Sequence, residues 1–201
     1  MAASLWQAYN GRELEDMFLR SEDLRTRLPG GSAIYVWKRL LAPPAQVVGN
    51  GVLFSKWLAD AVKVPSAKLP RTELAHFLAL DGVSLGGSPL TDEKLLTLRD
   101  WMTDGPSRRW LVSVLASITD LAPPLYVGES EDLPRRIKEH LAGESDFSGA
   151  LSRLGLKWAD CRLSVCSVPP EFLKADAKSR RTLIELVVAR LAIAGSTSRP
   201  G

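Results

Sequence analysis

The chain's 201 residues, 45% of them hydrophobic and 24% charged, suffice for one good core, or a core plus a smaller subdomain, without disulfides or a structural metal. That composition excludes a disordered or fibrous chain, and a formal net charge of +3 permits a nucleic-acid partner without demanding one. Cys161 and Cys166 lie at odd spacing in a strand-like run, so they face opposite ways and do not pair, which points to a reducing, cytoplasmic setting. His76 and His140 stand far from both cysteines, and no zinc-ligand spacing exists.

The N-terminal "MAASLWQAYNGRELED" has no basic region followed by an apolar one, so it does not read as a secretory signal. Residues 10–28 place Leu14, Met17, Phe18 and Leu24 at helical spacing, and "PGG" at 29–31 stops that helix. "SAIYVWKRLL" follows, β-branched and aromatic, and reads as a strand. A helix is expected over 52–63, where Leu53, Trp57, Leu58 and Val62 share a stripe. Two more are expected over 71–80 and 91–103, the second capped by Thr91. A helix-turn-helix is a weak reading of this pair, because the joint "DGVSLGGSPL" is longer than the DNA-reading motif uses.

From Trp110 the pattern turns strand-like: "WLVSVLASI", then "PPLYVG", then "WADCRLSVCSVP" at 158–169. Helices are expected at 132–143, 146–155 and 173–194; in the last, "TLIELVVARLAIAG" is too short and too charged to span a bilayer, so no membrane partner is expected. The alternation implies an α+β core with a small central β-sheet flanked by helices. The six tryptophans read mostly as core residues.

The stretch "LYVGESEDLPRRIKEHL" at 125–141 concentrates chemistry around one strand-to-helix turn. Asp132 can cap the helix and Pro134 is tolerated in its first turn. Leu133, Ile137 and Leu141 form its apolar stripe, Arg135, Lys138 and Glu139 point away, and Arg136 and His140 fall beside the stripe's edge, at a lip between core and solvent. A guanidinium and an imidazole there, led into by Tyr126, can surround an anion such as a phosphate, with His140 exchanging protons near neutral pH. A plain surface helix with a solvated cation is the alternative.

"YVGESEDLPRRIKEHL" resembles the second signature of the GIY-YIG nucleases, in which a Tyr-Ile/Val-Gly strand end precedes a "DL..RI..H" helix. The resemblance implies that Arg136 is the catalytic arginine, that Tyr126 is the second-motif tyrosine, and that His140 matches the histidine or tyrosine found one turn on. It also implies a metal-binding glutamate on a later helix, matched by Glu185 in "RRTLIELVVARL". A carboxylate in so apolar a run needs a partner, either a metal or a nearby arginine. Two segments compete for the first motif. "GSAIYVW" keeps a tyrosine, Tyr35, but replaces the glycine with Ala33; "RRWLVSVLAS" is nearer in sequence yet lacks a tyrosine. Tyr35 is preferred. Two departures stand out: no Pro-x-x-Asn element follows Glu185, and Glu129 occupies a position where members often carry lysine.

What the resemblance implies is an endonuclease that hydrolyses DNA phosphodiester bonds, with Glu185 holding Mg2+ or Mn2+, Arg136 stabilising the pentavalent phosphate, and Tyr35, aided by His140 or Tyr126, orienting or deprotonating water. Residues 1–40 then supply an N-terminal helix and the first strand, 41–105 a helical insertion, and 106–201 the remaining nuclease core. Lys56, Lys63, Lys68 and Arg71 in the insertion are candidate phosphate contacts, though scattered cations more often serve solvation. The rival is a module that kept the fold and binds DNA or protein without cutting.

Overall fold

The structure, a computed structural model, describes residues 5–61, 72–75, 78–80, 91–169 and 177–192. In chain order the elements are β1 (Gln7–Asn10), α1 (Gly11–Leu19), β2 (Ala33–Arg39), α2 (Ala45–Val48), α3 (Gly51–Ala61), β3 (Thr72–Ala75), β4 (Leu78–Leu80) and α4 (Asp92–Trp101). Then follow α5 (Gly105–Leu121), β5 (Tyr126–Ser130), α6 (Leu133–Leu141), α7 (Asp146–Arg153), β6 (Cys161–Ser167) and α8 (Ala177–Ala192). The protein is α+β, with a small antiparallel sheet flanked by helices. None of the described helices is long and apolar enough to cross a membrane.

Two compact units divide the chain, one drawn from residues 1–40, 119–152 and 156–201, the other from 41–118 and 153–155. The division between the units at Ile118/Thr119 falls inside α5, near its C-terminal end.

The first unit is built on a four-stranded sheet of order β1-β6-β2-β5. Its inner strand β2 is apolar at every position from Ala33 to Trp37 because both of its faces are covered. Ala33, Tyr35 and Trp37 share one face with Cys161, Leu163 and Val165 of β6, and Leu14 of α1, Leu133 and Ile137 of α6, and Phe147 and Leu151 of α7 close over them. Ile34 and Val36 face the other way, with Val127 of β5, against Val188 of α8. By contrast β6 alternates buried and half-buried residues, which is why its sequence reads C-R-L-S-V-C. Both cysteines are free thiols.

Several expectations are corrected. The helix expected over 10–28 ends at Leu19, where Ser21 adopts a left-handed φ of 58° and Glu22 N–H donates to Met17 O at 2.9 Å, a Schellman-type stop; a single 3-10 turn, Leu24–Thr26, follows. The strand-like "WLVSVLASI" lies inside α5. Asp104 accepts from Ser107 N at 2.7 Å to start that helix, Pro106 fits its first turn, and Leu111, Val112 and Leu115 supply a helical stripe. Residues 72–75 and 78–80, expected in a helix, pair instead as antiparallel strands with a register shift, so cross-strand hydrogen bonds override a helix propensity that is only a weak preference. The helix-turn-helix reading therefore fails. Strand β1 went unanticipated. Residues 63, 68, 71, 76 and 81–90 lie outside the described residues.

The second unit packs around Phe54, Met102 and Leu115. Arg108 holds it at the helix ends, donating from Nε to Val48 O at 2.8 Å and from Nη1 to Met102 O at 2.5 Å and Thr103 O at 2.9 Å, carbonyls that have no partner within their own helices. Trp101 and Trp110 form an exposed pair here, and Trp6 is exposed in the first unit; Trp37 is buried and Trp158 and Trp57 pack on the two cores, so half of the six tryptophans, rather than most, are core residues.

Candidate active site

Among the described residues strand β5 is an edge of the sheet, and its ladder partner is β2. Of the two segments considered for the first motif, only Ala33–Arg39 is a strand, and it is the one beside β5. The register sets Trp37 opposite Tyr126 and Tyr35 opposite Gly128, so the two tyrosines share a face one pleat apart. Gly128 is required by space: a Cβ there would stand 2.5 Å from Tyr35 Oη and 2.7 Å from Tyr126 Cε1. The glycine of "YVG" thus makes room for the tyrosine of "AIY".

After β5 the chain turns into α6. Asp132 caps it, accepting from Arg135 N at 3.2 Å, and Arg25 pins the cap by donating to Asp132 Oδ2 at 2.9 Å. The bond from Arg135 N comes first among the causes that hold the Asp132 carboxyl below its usual range. Arg135 and Lys138 are exposed, as expected, but Glu139 is half-buried and paired with both Arg135 and Arg136, the latter at 2.9 Å.

His140 is the larger correction. It does not sit at a lip between core and solvent: its exposure is 0%, because α7 folds back and sets the Phe147 ring edge-on at 5.7 Å. Burial, aided by the Arg136 charge, pushes its pKa down to about 3, so it is neutral at physiological pH and is no proton shuttle there. Its Nε2 lies 2.8 Å from Tyr35 Oη and its Nδ1 lies 2.6 Å from Ser145 Oγ. Tyr35 is likewise 0% exposed, and burial followed by the neighbouring Tyr126 raises its pKa well above the usual tyrosine value, with Arg136 acting in the opposite sense.

Tyr126 and Arg136 form the accessible layer. Tyr126 is half-buried, stacked on Phe147 at 4.8 Å and edge-on to His140 at 5.4 Å. The Arg136 side chain is one-third exposed at 33%; burial opposes its charge, but Glu139 and the hydroxyls of Tyr35 and Tyr126 more than compensate and raise its pKa. An aromatic floor and a fixed cation are therefore presented together, a geometry suited to a phosphodiester.

The fifth predicted residue arrives from the opposite face. Helix α8 packs on β5 and β2, and Glu185 is half-buried on it, while Leu183, Ile184 and Val187 are exposed, so the apolar run around it is not uniformly interior. Burial and then the Glu129 carboxylate raise the pKa of Glu185, and Arg136 draws it back, which places all three charges in one electrostatic neighbourhood around the β5 edge. Among the described residues no ion pair engages Glu185, and no cluster of three or more His, Cys, Asp or Glu is present.

Sequence reasoning missed the partner of Glu129. Arg181, buried one turn before Glu185, donates from Nε to Glu129 Oε2 at 2.8 Å and from Nη2 to Glu131, so the acidic residue after "YVG" is neutralised from α8. It also missed Ser145 and Phe147, which close the site from α7; the signal for Ser145 was a serine three residues before Ser148 at a helix start. Lys56 is an exposed surface cation of the second unit. No protein-family model, curated protein or solved structure matches the chain.

Proposed function

We propose that the first unit is a GIY-YIG-like, metal-dependent endonuclease acting on DNA phosphodiester bonds. The observation that carries this reading is the Tyr35–Gly128 pairing across β2 and β5, with Arg136 and His140 following on the next helix. Two tyrosines, an arginine and a buried histidine converge on one strand edge, in the order that the resemblance assigns them.

The residues fit a divalent cation of the Mg2+ or Mn2+ kind. Glu185 is an oxygen donor whose charge is disfavoured by burial and by Glu129, so a bound cation would stabilise its ionised form. Magnesium commonly uses one or two carboxylates, with waters and substrate phosphates completing its shell, so a lone glutamate is a sufficient anchor. When bound, such a cation neutralises charge on the phosphate and the leaving oxygen. Arg136 supplies a second, fixed positive charge for the pentavalent phosphate, already oriented by Glu139. Tyr126 fronts the site and orients the attacking water, while Tyr35, behind it, is held by His140 and backs the proton transfer.

The test is incubation with supercoiled plasmid and Mg2+ or Mn2+, with and without chelator. Nicking is expected, sensitive to chelator, and lost in Glu185→Ala and Arg136→Ala variants that keep wild-type circular dichroism. Wild-type nicking by either variant refutes the reading; DNA binding without chelator-sensitive cutting selects the non-catalytic module.

A further inference from the structure

A serine outside the site's accessible layer contacts the ring that contacts Tyr35. Each nitrogen of His140 has one hydroxyl partner, Ser145 Oγ on Nδ1 and Tyr35 Oη on Nε2. A neutral imidazole carries one proton, so one nitrogen donates and the other accepts. The hydrogen bonds of Ser145 bear on which nitrogen donates.

Ser145 opens α7. Its Oγ accepts from Ser148 N at 3.2 Å, while Ser148 Oγ accepts from Ser145 N at 3.3 Å and gives its own proton to Ser145 O at 2.5 Å. The Ser145 hydroxyl proton therefore has two acceptors within reach: Ser148 Oγ at 3.4 Å and His140 Nδ1 at 2.6 Å. Hydroxyl donors bond well at about 2.5–3.0 Å, and only Nδ1 lies in that range, so with its oxygen already accepting from Ser148 N the Ser145 hydroxyl has Nδ1 as its better acceptor. We propose that Ser145 is a positioning residue of the site: its hydroxyl donates to Nδ1 and fixes His140 as the Nε2–H tautomer, which donates to Tyr35 Oη.

The direction of that bond matters. With Nε2–H donating, Tyr35 receives a hydrogen bond on its oxygen and keeps its own proton free to point toward Tyr126. With the opposite tautomer, Tyr35 gives its proton inward to Nε2 and has none to direct outward. Burial disfavours the Tyr35 phenolate, and a fixed N–H donor is the means by which a buried oxygen is made able to carry negative charge. The catalytic meaning rests on the nuclease reading; the tautomer is a property of the fold alone.

The test is a long-range 1H–15N correlation spectrum of the 15N-histidine-labelled chain at neutral pH. The chain has only two histidines, and His140 is assigned by its loss in His140→Gln. The expected pattern is a protonated Nε2 and an unprotonated Nδ1 for His140, retained in Ser145→Thr and lost in Ser145→Ala. In the plasmid assay Ser145→Ala is expected to lower kcat about tenfold, the worth of one hydrogen bond, with KM unchanged. A protonated Nδ1 in the wild type overturns the proposal by itself, even if Ser145→Ala does not fold. An unaltered tautomer in Ser145→Ala, or an altered tautomer with wild-type kcat, overturns it as well. If the spectra behave as expected and the wild type does not cut, the nuclease reading falls and the tautomer assignment stands.

Discussion

Gly128→Ala is the smallest change that tests whether the β2–β5 register builds the site. The added Cβ meets Tyr35 Oη at 2.5 Å, Tyr35 Cζ at 2.6 Å and Tyr126 Cε1 at 2.7 Å, where carbon contacts are comfortable at about 3.5–4.0 Å. Neither ring can swing away cheaply: Tyr35 has no exposed surface and is bound to His140, and Tyr126 is stacked on Phe147. Relief requires a ring or backbone shift of about 1 Å, which overpacking studies place at about 1–3 kcal/mol. Losing the Tyr35–His140 bond in the process adds about 1 kcal/mol. The sum is a destabilisation of about 2–4 kcal/mol, centred on one ladder. Native-state hydrogen exchange of the β2 and β5 amides reports on this unit alone, and their opening free energy is expected to fall by that amount. Backbone strain is not involved, since Gly128 is not among the positive-φ glycines of the described residues. A Gly128→Ala variant with wild-type exchange would show that Tyr35 does not lie over Gly128 and would remove the geometric basis of the site.

Two pH dependences follow from the buried groups. His140 is depressed from 6.5 to about 3 on folding, so its contribution is present above 6.5 and is lost as pH falls, with a slope approaching about 1.4 kcal/mol per pH unit between those values. Urea midpoints measured across that range should flatten in His140→Gln, and an equal slope in wild type and variant would exclude a neutral buried ring. Glu185 is shifted the other way: a carboxylate with a raised folded pKa stabilises most below its unfolded value and loses that advantage as pH rises. Glu185→Gln should therefore be more stable than wild type at neutral pH and no different in acid. Millimolar Mg2+ should raise the melting temperature of wild type but not of Glu185→Gln, and equal metal-induced shifts would remove Glu185 as the metal anchor.

How much of this was readable in advance depends on the range of the interactions involved. The α6 segment was legible because its determinants are local: a capping Asp132, Pro134 in the first turn, and Leu133 and Ile137 one turn apart. So was β2, whose unbroken apolar run matches a strand covered on both faces. The 110–118 segment misled because Val and Ile carry strand propensity, while the stripe made by Leu111, Val112 and Leu115 needs Phe54 and Met102, distant in sequence, to become visible. His140 misled for a related reason. Helical geometry correctly set it beside the Leu133–Ile137 stripe, but its exposure was decided by Phe147 on the following helix, and no periodicity within α6 encodes that cover. The Arg181–Glu129 pair was hidden because it joins residues 52 apart across a helix–strand contact.

The position of β5 at the sheet edge explains why one glycine-ended strand can gather residues from both sides of a sheet. Arg136 approaches from the helix on the Tyr35 face, and Glu185 from the helix on the Ile34 face, and an inner strand would have kept them a full sheet's thickness apart. At an edge the two side chains can converge past the strand, and the Arg136 charge offsets part of the rise that burial and Glu129 impose on the Glu185 pKa. An exposed edge is also a liability, since its unpaired backbone groups invite another strand. Here Glu129 points one way, clasped by Arg181, and Gly128 exposes the other face to Tyr35, so the edge is occupied by charge and aromatic rings rather than by a long apolar strip. The same arrangement that guards the edge presents a cation, a half-buried carboxylate and the Tyr126 ring to whatever lies along it. On the proposed nuclease reading, an extended anionic backbone running beside β5 would meet Arg136 and Tyr126 together, and Glu185 from the other side of the strand.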